Sequence, residues 1–170
     1  VWVGTYKSGA SYYHPNLFKF KKSPLFYMFN KNAEIFDCNS LYKDKSNNLW
    51  IGTNGTGLIK YDQSTEKVER FRNNPNDAGS ISSDIITSIY EDHTQTLWIG
   101  TFMGGLNSFD GKSFKKFQLN ETNPNSLSSK SVYSLTEDND HNLWIATLGG
   151  GIDQLNPARD TFTHHNMSNS

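Results

Sequence analysis

The sequence lacks the features that mark disulfide scaffolds and membrane-spanning helices. Cys38 is the single cysteine, which excludes a disulfide within the chain and a zinc cluster built on cysteine ligands. No stretch approaches the roughly 18–20 consecutive apolar residues that span a bilayer as a helix. No secretory leader is present and the first residue is Val1 rather than Met, so we expect both ends to be cut points of a longer protein.

An excess of charge of one sign is also lacking. The formal net charge is −1, and the densest basic group, Lys19, Lys21 and Lys22, is too small to follow a phosphate backbone. We therefore expect neither nucleic acid nor a membrane surface among the partners of this segment. The aromatic share of 14% and the charged share of 19% are typical of a folded globular chain.

Every tryptophan lies in one short motif that recurs along the chain. The motif reads Leu-Trp-Ile-Gly-Thr in its second and third copies, and successive tryptophans are 48, 48 and 46 residues apart. The four copies are centred on Trp2, Trp50, Trp98 and Trp144. A fixed period of this length indicates a repeat architecture in which the tryptophans occupy equivalent positions.

Each copy of the repeat contains four short strand-like runs. The runs are rich in β-branched and aromatic residues, are bounded by Gly, Asn, Asp and Pro, and show no sustained helical period. A glycine begins the run after the motif, where a left-handed backbone follows a tight turn. These glycines are Gly57, Gly105 and Gly151. An aspartate leads into the turn before the next tryptophan, at Asp44, Asp92 and Asp138.

These patterns predict an all-β fold, a β-propeller segment of four-stranded antiparallel blades, with three complete blades, one partial blade and about 15 strands. The predicted units are residues 1–34 for a partial blade of three strands with its connection, then blades at 35–80, 81–126 and 127–170. Because known propellers close with at least about four blades, we expect a fragment of a larger propeller, either an open arc or a ring completed by further sequence or by a second copy. The apolar faces of the end blades predict self-association, or cover by the remaining blades of the parent protein.

The tryptophans are expected to fill the gaps between blades, because Leu-Trp-Ile is apolar on both faces of its strand. The glycine after each Trp-Ile pair leaves room for that packing, and Ala146 replaces it in the fourth copy, which indicates that one methyl is tolerated. Cys38 aligns with Ile86 and Val132, so we interpret it as a small buried apolar residue rather than a reactive thiol.

The Leu-Trp-Ile-Gly-Thr motif, the Gly-Gly-Leu-x-x-Phe-Asp segment that follows it and the Asn-Ser-Leu-Ser-Ser loop together resemble the two-component-regulator propeller repeat. That repeat fills the periplasmic sensor regions of hybrid two-component systems in gut Bacteroides-type bacteria. The resemblance covers nearly the whole chain. It implies a receptor anchored in the inner membrane, with a β-sandwich, a membrane helix, a histidine kinase and a response regulator beyond the blades. It also implies that the receptor senses breakdown products of polysaccharides.

Metal and catalytic motifs are weak. Residues 138–142 alternate oxygen donors but lack the glycine and the distal glutamate of an EF-hand, and they fall on a periodic hairpin turn. His164 and His165 are adjacent in a predicted strand, so their side chains should point to opposite faces as solvated groups. The other histidines, His14, His93 and His141, fall in different blades without ligand spacing. Serines and carboxylate pairs recur with the blade period, so we predict no catalytic residue, no metal and no cofactor.

Ligand recognition is the better supported function. The loops between second and third strands vary in sequence on a constant scaffold, which is where binding residues usually lie. The candidate ligand-binding residues are Tyr6, Lys7, Asn54, Phe102, Met103 and Leu148. Their aromatic rings are suited to stacking on a sugar, and packing at the blade edge without a ligand is the alternative for each of them.

We therefore predict the non-catalytic, periplasmic sensor portion of a two-component receptor, with an oligosaccharide as the possible ligand. Two alternatives remain at this stage. One is a propeller domain of an extracellular carbohydrate-active enzyme, and the other is a structural spacer or interaction scaffold.

Overall fold

The computed structural model describes residues 37–166 and, before them, the backbone of residues 2–5, 9–12 and 21–22. All regular structure in this part of the chain is β-strand, and none of it forms an apolar helix long enough to cross a membrane. The strands are β1 (Trp2–Thr5), β2 (Gly9–Tyr12), β3 (Lys21–Lys22), β4 (Cys38–Lys43), β5 (Asn48–Thr53), β6 (Leu58–Asp62), β7 (Val68–Phe71), β8 (Ile86–Glu91), β9 (Leu97–Thr101), β10 (Gly105–Phe109), β11 (Phe114–Phe117), β12 (Val132–Glu137), β13 (Leu143–Thr147), β14 (Gly151–Leu155) and β15 (Phe162–His165).

The strands form four antiparallel sheets in which chain neighbours are also sheet neighbours. β1 to β3 form a three-stranded sheet, and β4–β7, β8–β11 and β12–β15 form three four-stranded sheets. The first strands of successive four-stranded sheets contact one another, β4 with β8 and β8 with β12. The second strand of one sheet also contacts the first strand of the next, as β5 contacts β8, and β1 contacts β4 in the same way. β1 therefore holds the place of a second strand. The predicted fold class, three complete blades and one partial blade, is confirmed.

The cores lie between sheets rather than within them. One cluster joins Trp50 and Leu58 of the first four-stranded sheet to Ile86, Ile99 and Phe109 of the second. The next cluster repeats this arrangement around Trp98, between the second and third four-stranded sheets. The motif strands β5 and β9 are buried on both faces for this reason, because each face of an inner strand is covered by a neighbouring blade.

Each described tryptophan is held by the aspartate six residues before it. The indole N–H donates to the carboxylate at 2.8 Å in Trp50–Asp44, 2.8 Å in Trp98–Asp92 and 2.7 Å in Trp144–Asp138. The same carboxylate accepts backbone N–H groups of its turn, such as that of Asn48. Hydrogen bonds from Asn142 and Trp144 lower the pKa of Asp138 to about 2. The recurring aspartate thus closes a turn, as expected, and also satisfies the one polar atom of the indole.

The glycine of the motif is required by the neighbouring blade. A Cβ placed on Gly100 would lie 2.3 Å from Ser88 Oγ and 2.7 Å from Val132 Cγ1. The expectation that this position tolerates a methyl is therefore corrected: Ala146 lies on the last described sheet, whose corresponding face is open. Ile152 on that face is 44% exposed, whereas Leu106 at the equivalent position is fully buried.

The glycine that begins each third strand has the predicted left-handed backbone. Gly105 has a φ of +81°, and a Cβ there would lie 2.4 Å from the carbonyl oxygen of Phe117. Any other residue at this position would be strained by its own backbone and would also collide with the adjacent strand.

Candidate functional site

The first strand of every four-stranded sheet contains the same β-bulge. The register shifts between Cys38 and Ser40 in β4, between Ile86 and Ser88 in β8, and between Val132 and Ser134 in β12. The extra residue in each bulge has no partner on the second strand. These residues are Asn39, Thr87 and Tyr133. Bulges commonly re-aim side chains beside functional sites.

The three bulge residues meet the loops between second and third strands at a cleft, here called the rim cleft. The rim cleft has a volume of about 450 Å³. Its lining consists of Asn39, Asn54, Ile85, Thr87, Phe102 and Tyr133. Residues from all three complete blades therefore contribute to one concavity, which is the usual shape of a small-molecule site.

Hydrogen bonds between blades hold the lining in place. Asn39 Nδ2 donates to the Ile86 carbonyl at 3.0 Å, and the Thr87 hydroxyl donates to the Val132 carbonyl. Within the middle blade, the backbone N–H of Phe102 donates to the carbonyl of Ile85 at 3.0 Å. The rim cleft is thus a preformed surface rather than a set of free loops, and binding to it loses little conformational entropy.

The lining has the chemistry of a receptor for neutral polar molecules. It combines the amides of Asn39 and Asn54, the hydroxyls of Thr87 and Tyr133, and the ring of Phe102. The lining contains no Asp, Glu, Lys, Arg or His, so it contributes no formal charge. Tyr133 is half exposed at the open side, where its ring is accessible to a planar or cyclic ligand.

The predicted ligand-binding residues divide into three groups. Asn54 and Phe102 line the rim cleft. Met103 and Leu148 belong to the same set of loops but project into solvent, 62% and 54% exposed, outside the cleft lining. Tyr6 and Lys7 lie outside the described residues. The sequence interpretation missed Asn39, Thr87 and Tyr133. The signal for them was that the residue directly before the recurrent serine differs from blade to blade.

Two histidines without ligand spacing in the sequence are neighbours in the structure. His93 and His141 belong to different blades, yet their rings stack with centroids 3.7 Å apart. His93 Nδ1 lies 2.7 Å from Glu137 Oε1. The β8–β9 and β12–β13 turns that bear the two histidines lie side by side at the end of the sheets opposite the rim cleft, because first-to-second turns and second-to-third loops close opposite ends of a blade.

His164 and His165 do point to opposite faces, but His164 is more than a solvated group. Its Nδ1 lies 2.7 Å from a carboxylate oxygen of the fully buried Asp153, and its Nε2 lies 2.9 Å from the carbonyl oxygen of Pro124. Burial by itself lowers the pKa of His164, but the bonds to Asp153 and to this carbonyl outweigh it and raise the pKa. His164 therefore fixes the inter-blade loop to the last sheet.

Cys38 has the apolar surroundings that the alignment predicted, but it is partly rather than fully buried. It packs against the cluster of Leu49, Ile51, Ile59 and Tyr61, and its thiol lies 3.6 Å from the carbonyl oxygen of Ser40. Burial raises the pKa of the thiol to about 11. The thiol is therefore protonated and unreactive at neutral pH.

Comparison with known proteins supports the repeat assignment. The family model described as two component regulator propeller matches residues 32–55, 80–103 and 126–149. Each match covers the first strand, the tryptophan strand and the start of the loop between second and third strands, and the first two of these loops border the rim cleft. Three segments of the chain, one in each complete blade, thus match the two-component-regulator propeller repeat.

The chain is similar in shape to solved structures, one of which is an extracellular domain. The chain is similar to the extracellular domain of a protein described as a hybrid two component system from B. thetaiotaomicron, with a TM-score of 0.77 and 25% identity over 98% of this chain and 21% of that one. PorZ, a surface component of the type-IX secretion system of Porphyromonas gingivalis, shares the fold, with a TM-score of 0.51 and 15% identity over 99% of this chain and 32% of PorZ. The propeller segment thus spans about a fifth of the length of the first of these proteins. A search of curated protein sequences found no match.

Proposed function

We propose that this propeller segment is part of the extracytoplasmic sensor region of a two-component receptor, and that the rim cleft contributes to recognition of a glycan-derived ligand. The family match and the similarity to an extracellular domain of a hybrid two component system support the first half of this proposal. The composition of the rim cleft carries the second half.

An uncharged lining favours sugars over other small ligands. Amide and hydroxyl groups exchange hydrogen bonds with sugar hydroxyls without the desolvation cost of a buried charge. The rings of Phe102 and Tyr133 offer flat apolar faces for the C–H face of a pyranose. A phosphorylated or acidic metabolite would instead require the Arg or Lys groups that bind anions strongly.

The position of the cleft is suited to signalling. Its lining comes from β4, β8 and β12, from the β5–β6 and β9–β10 loops and from the connection before β8, so one ligand contacts all three complete blades. A ligand shifts a conformational equilibrium only through its different affinities for two arrangements of the receptor. A site shared by several blades provides that difference when the angle between blades changes. The histidine kinase and phosphorelay that act on this signal would belong to the parent receptor.

The test is calorimetric titration of the chain with a panel of neutral oligosaccharides. For a sugar that binds, Tyr133→Ala and Phe102→Ala should each lower the affinity about fivefold or more, since a stacked ring contributes on the order of 1 kcal/mol or above. Leu148→Ala is the matched control. Leu148 occupies the same loop position as Phe102 in the next blade but is exposed outside the cleft lining, so its loss should leave the affinity unchanged.

The outcomes separate the three functions. Sugar binding that is lost in the cleft variants and retained in Leu148→Ala supports the receptor. Turnover of a bound glycan, detected as new reducing ends, would support an enzyme instead. No binding by the chain or by the intact ectodomain to any member of the panel would favour a spacer and contradict the proposal.

A further inference from the structure

A cluster of two histidines and one glutamate lies at the end of the sheets opposite the rim cleft. We propose that His93, Glu137 and His141 form a binding site for a divalent transition-metal ion, with zinc as the best match. This proposal is independent of the proposed function, because it involves different residues at the other end of the blades. It replaces the expectation that the chain holds no metal.

The three side chains already lie within the reach of one ion. One ligand atom from each residue lies within 4.8 Å of the others. Zinc binds nitrogen at about 2.0–2.1 Å and carboxylate oxygen at about 2.0–2.2 Å, so its ligand atoms are roughly 3.3 Å apart. Zinc binding therefore requires the stacked rings to turn about their side-chain bonds until the ligand atoms reach this spacing. His141 is exposed and the His93 side chain is 40% exposed, so both rings have room to turn.

The glutamate is held in place before any ion arrives. Its side chain is 6% exposed, and Oε2 accepts the backbone N–H of His93 at 2.9 Å. Arg159 Nη2 binds Glu137 Oε1 at 2.9 Å and Asp92 Oδ2 at 3.0 Å. Two carboxylates therefore share one guanidinium, which leaves negative charge at the cluster and favours a cation.

The donor set selects the kind of ion. Two imidazole nitrogens with one carboxylate suit zinc and its neighbours in the transition series, whereas calcium and magnesium require oxygen ligands. Three protein ligands leave a fourth position open at the protein surface, for water or for a donor from another molecule.

The preceding junction between blades serves as an internal comparison. There the backbone N–H of Lys45 donates to Glu91 Oε2 at 2.9 Å, just as His93 does to Glu137. The Lys45 ammonium donates to the carbonyl oxygen of Asp92 at 3.2 Å, and Gln95 holds the turn position of His141 with the same left-handed φ. The backbone contact is thus a property of the repeat, whereas the pair of histidines is specific to one junction. The first junction carries Lys45 at the position that His93 holds in the second.

The experiment exchanges the residues at two positions between the two junctions. Zinc chloride is titrated by calorimetry into the 170-residue chain after treatment with a chelator. We expect one zinc per chain with a Kd of about 10 µM or tighter, a range accessible to three nitrogen and oxygen ligands. The His93→Lys, His141→Gln double variant carries the residues of the preceding junction and should lose at least about tenfold in affinity. The Lys45→His, Gln95→His double variant should bind a second zinc.

His165→Gln is the matched control, since it removes an exposed histidine outside the cluster and should leave both stoichiometry and affinity unchanged. Circular dichroism checks the fold of each variant. X-ray absorption of the zinc complex should show two imidazole ligands. Any of three results would overturn the ligand assignment. The first is no saturable zinc binding below about 100 µM. The others are unchanged affinity in the His93→Lys, His141→Gln variant and no second zinc in the Lys45→His, Gln95→His variant.

Discussion

Substitution of the motif glycine by alanine tests how tightly successive blades are packed. In Gly100→Ala the new Cβ would lie 2.3 Å from Ser88 Oγ and 2.7 Å from Val132 Cγ1. The serine hydroxyl can turn away, but the valine methyl cannot. Val132 is fully buried at the start of the next blade, and its branched side chain has few rotamers. An ordinary carbon–carbon contact of about 3.5 Å is restored only when the neighbouring sheet moves outward.

The expected cost follows from this clash. Overpacking of a filled core by one methyl destabilises by about 1–3 kcal/mol. For a chain of this size, that lowers the melting temperature by about 2–12 °C. Ala146→Gly is the matched control, because the face around Ala146 is open. It should change the stability by less than about 1 kcal/mol, which is the backbone-entropy cost of the glycine alone.

Val132→Ala should rescue the Gly100→Ala variant. By itself Val132→Ala leaves a cavity that costs about 2 kcal/mol, but in the double variant the new methyl fills part of that cavity. Urea unfolding of the four proteins should therefore give a favourable coupling energy of about 0.5–3 kcal/mol. Additive costs, or a Gly100→Ala variant within about 0.5 kcal/mol of the parent chain, would refute the tight junction.

Three further measurements follow from the structure. Trp98→Ala should lower the free energy of unfolding by about 3–5 kcal/mol. Trp144→Ala should lower it by less, because Trp98 is 1% exposed and Trp144 lies on the open face. Equal losses of stability in urea unfolding would contradict this. Despite the opposing effect of burial, the bond to Asp153 raises the pKa of His164, so stability should be full below about pH 6.5 and fall as pH rises through the raised value. His164→Gln should flatten this slope, and a slope of the opposite sign would contradict it. Burial raises the pKa of Cys38 from 9.0 to about 11, so a thiol reagent at about pH 8 should react roughly 100-fold more slowly with the folded chain than with the unfolded chain; equal rates would contradict this.

The repeat could be interpreted without coordinates because the burial of each strand can be predicted from the residues of that strand alone. Leu-Trp-Ile is apolar on both faces, so the strand has to lie between two neighbouring sheets. The 46- to 48-residue period gives the length of one blade and therefore the number of blades. The glycine before each third strand indicates a left-handed turn for equally local reasons. Conformation and solvent exposure along one strand are properties of nearby residues, and this is why fold class and blade number could be predicted.

The two sites could not be predicted in this way. Asn39, Thr87 and Tyr133 became neighbours only because one bulge recurs in three strands that pack side by side. Asn54 and Phe102 were predicted from loop variability, but so were Met103 and Leu148, which point elsewhere. Variability indicates where change is tolerated, whereas the direction of each side chain depends on the hydrogen bonds that fix its loop to the next blade.

The sequence by itself determined the strands, their number in each blade and the tryptophan positions between blades, since these depend on burial patterns and backbone preferences within a few residues. Only the tertiary structure decided which residues of different blades meet. His93 and His141 are 48 residues apart, and their contact depends on the lateral alignment of two turns, which is set by the packing of whole sheets rather than by either turn.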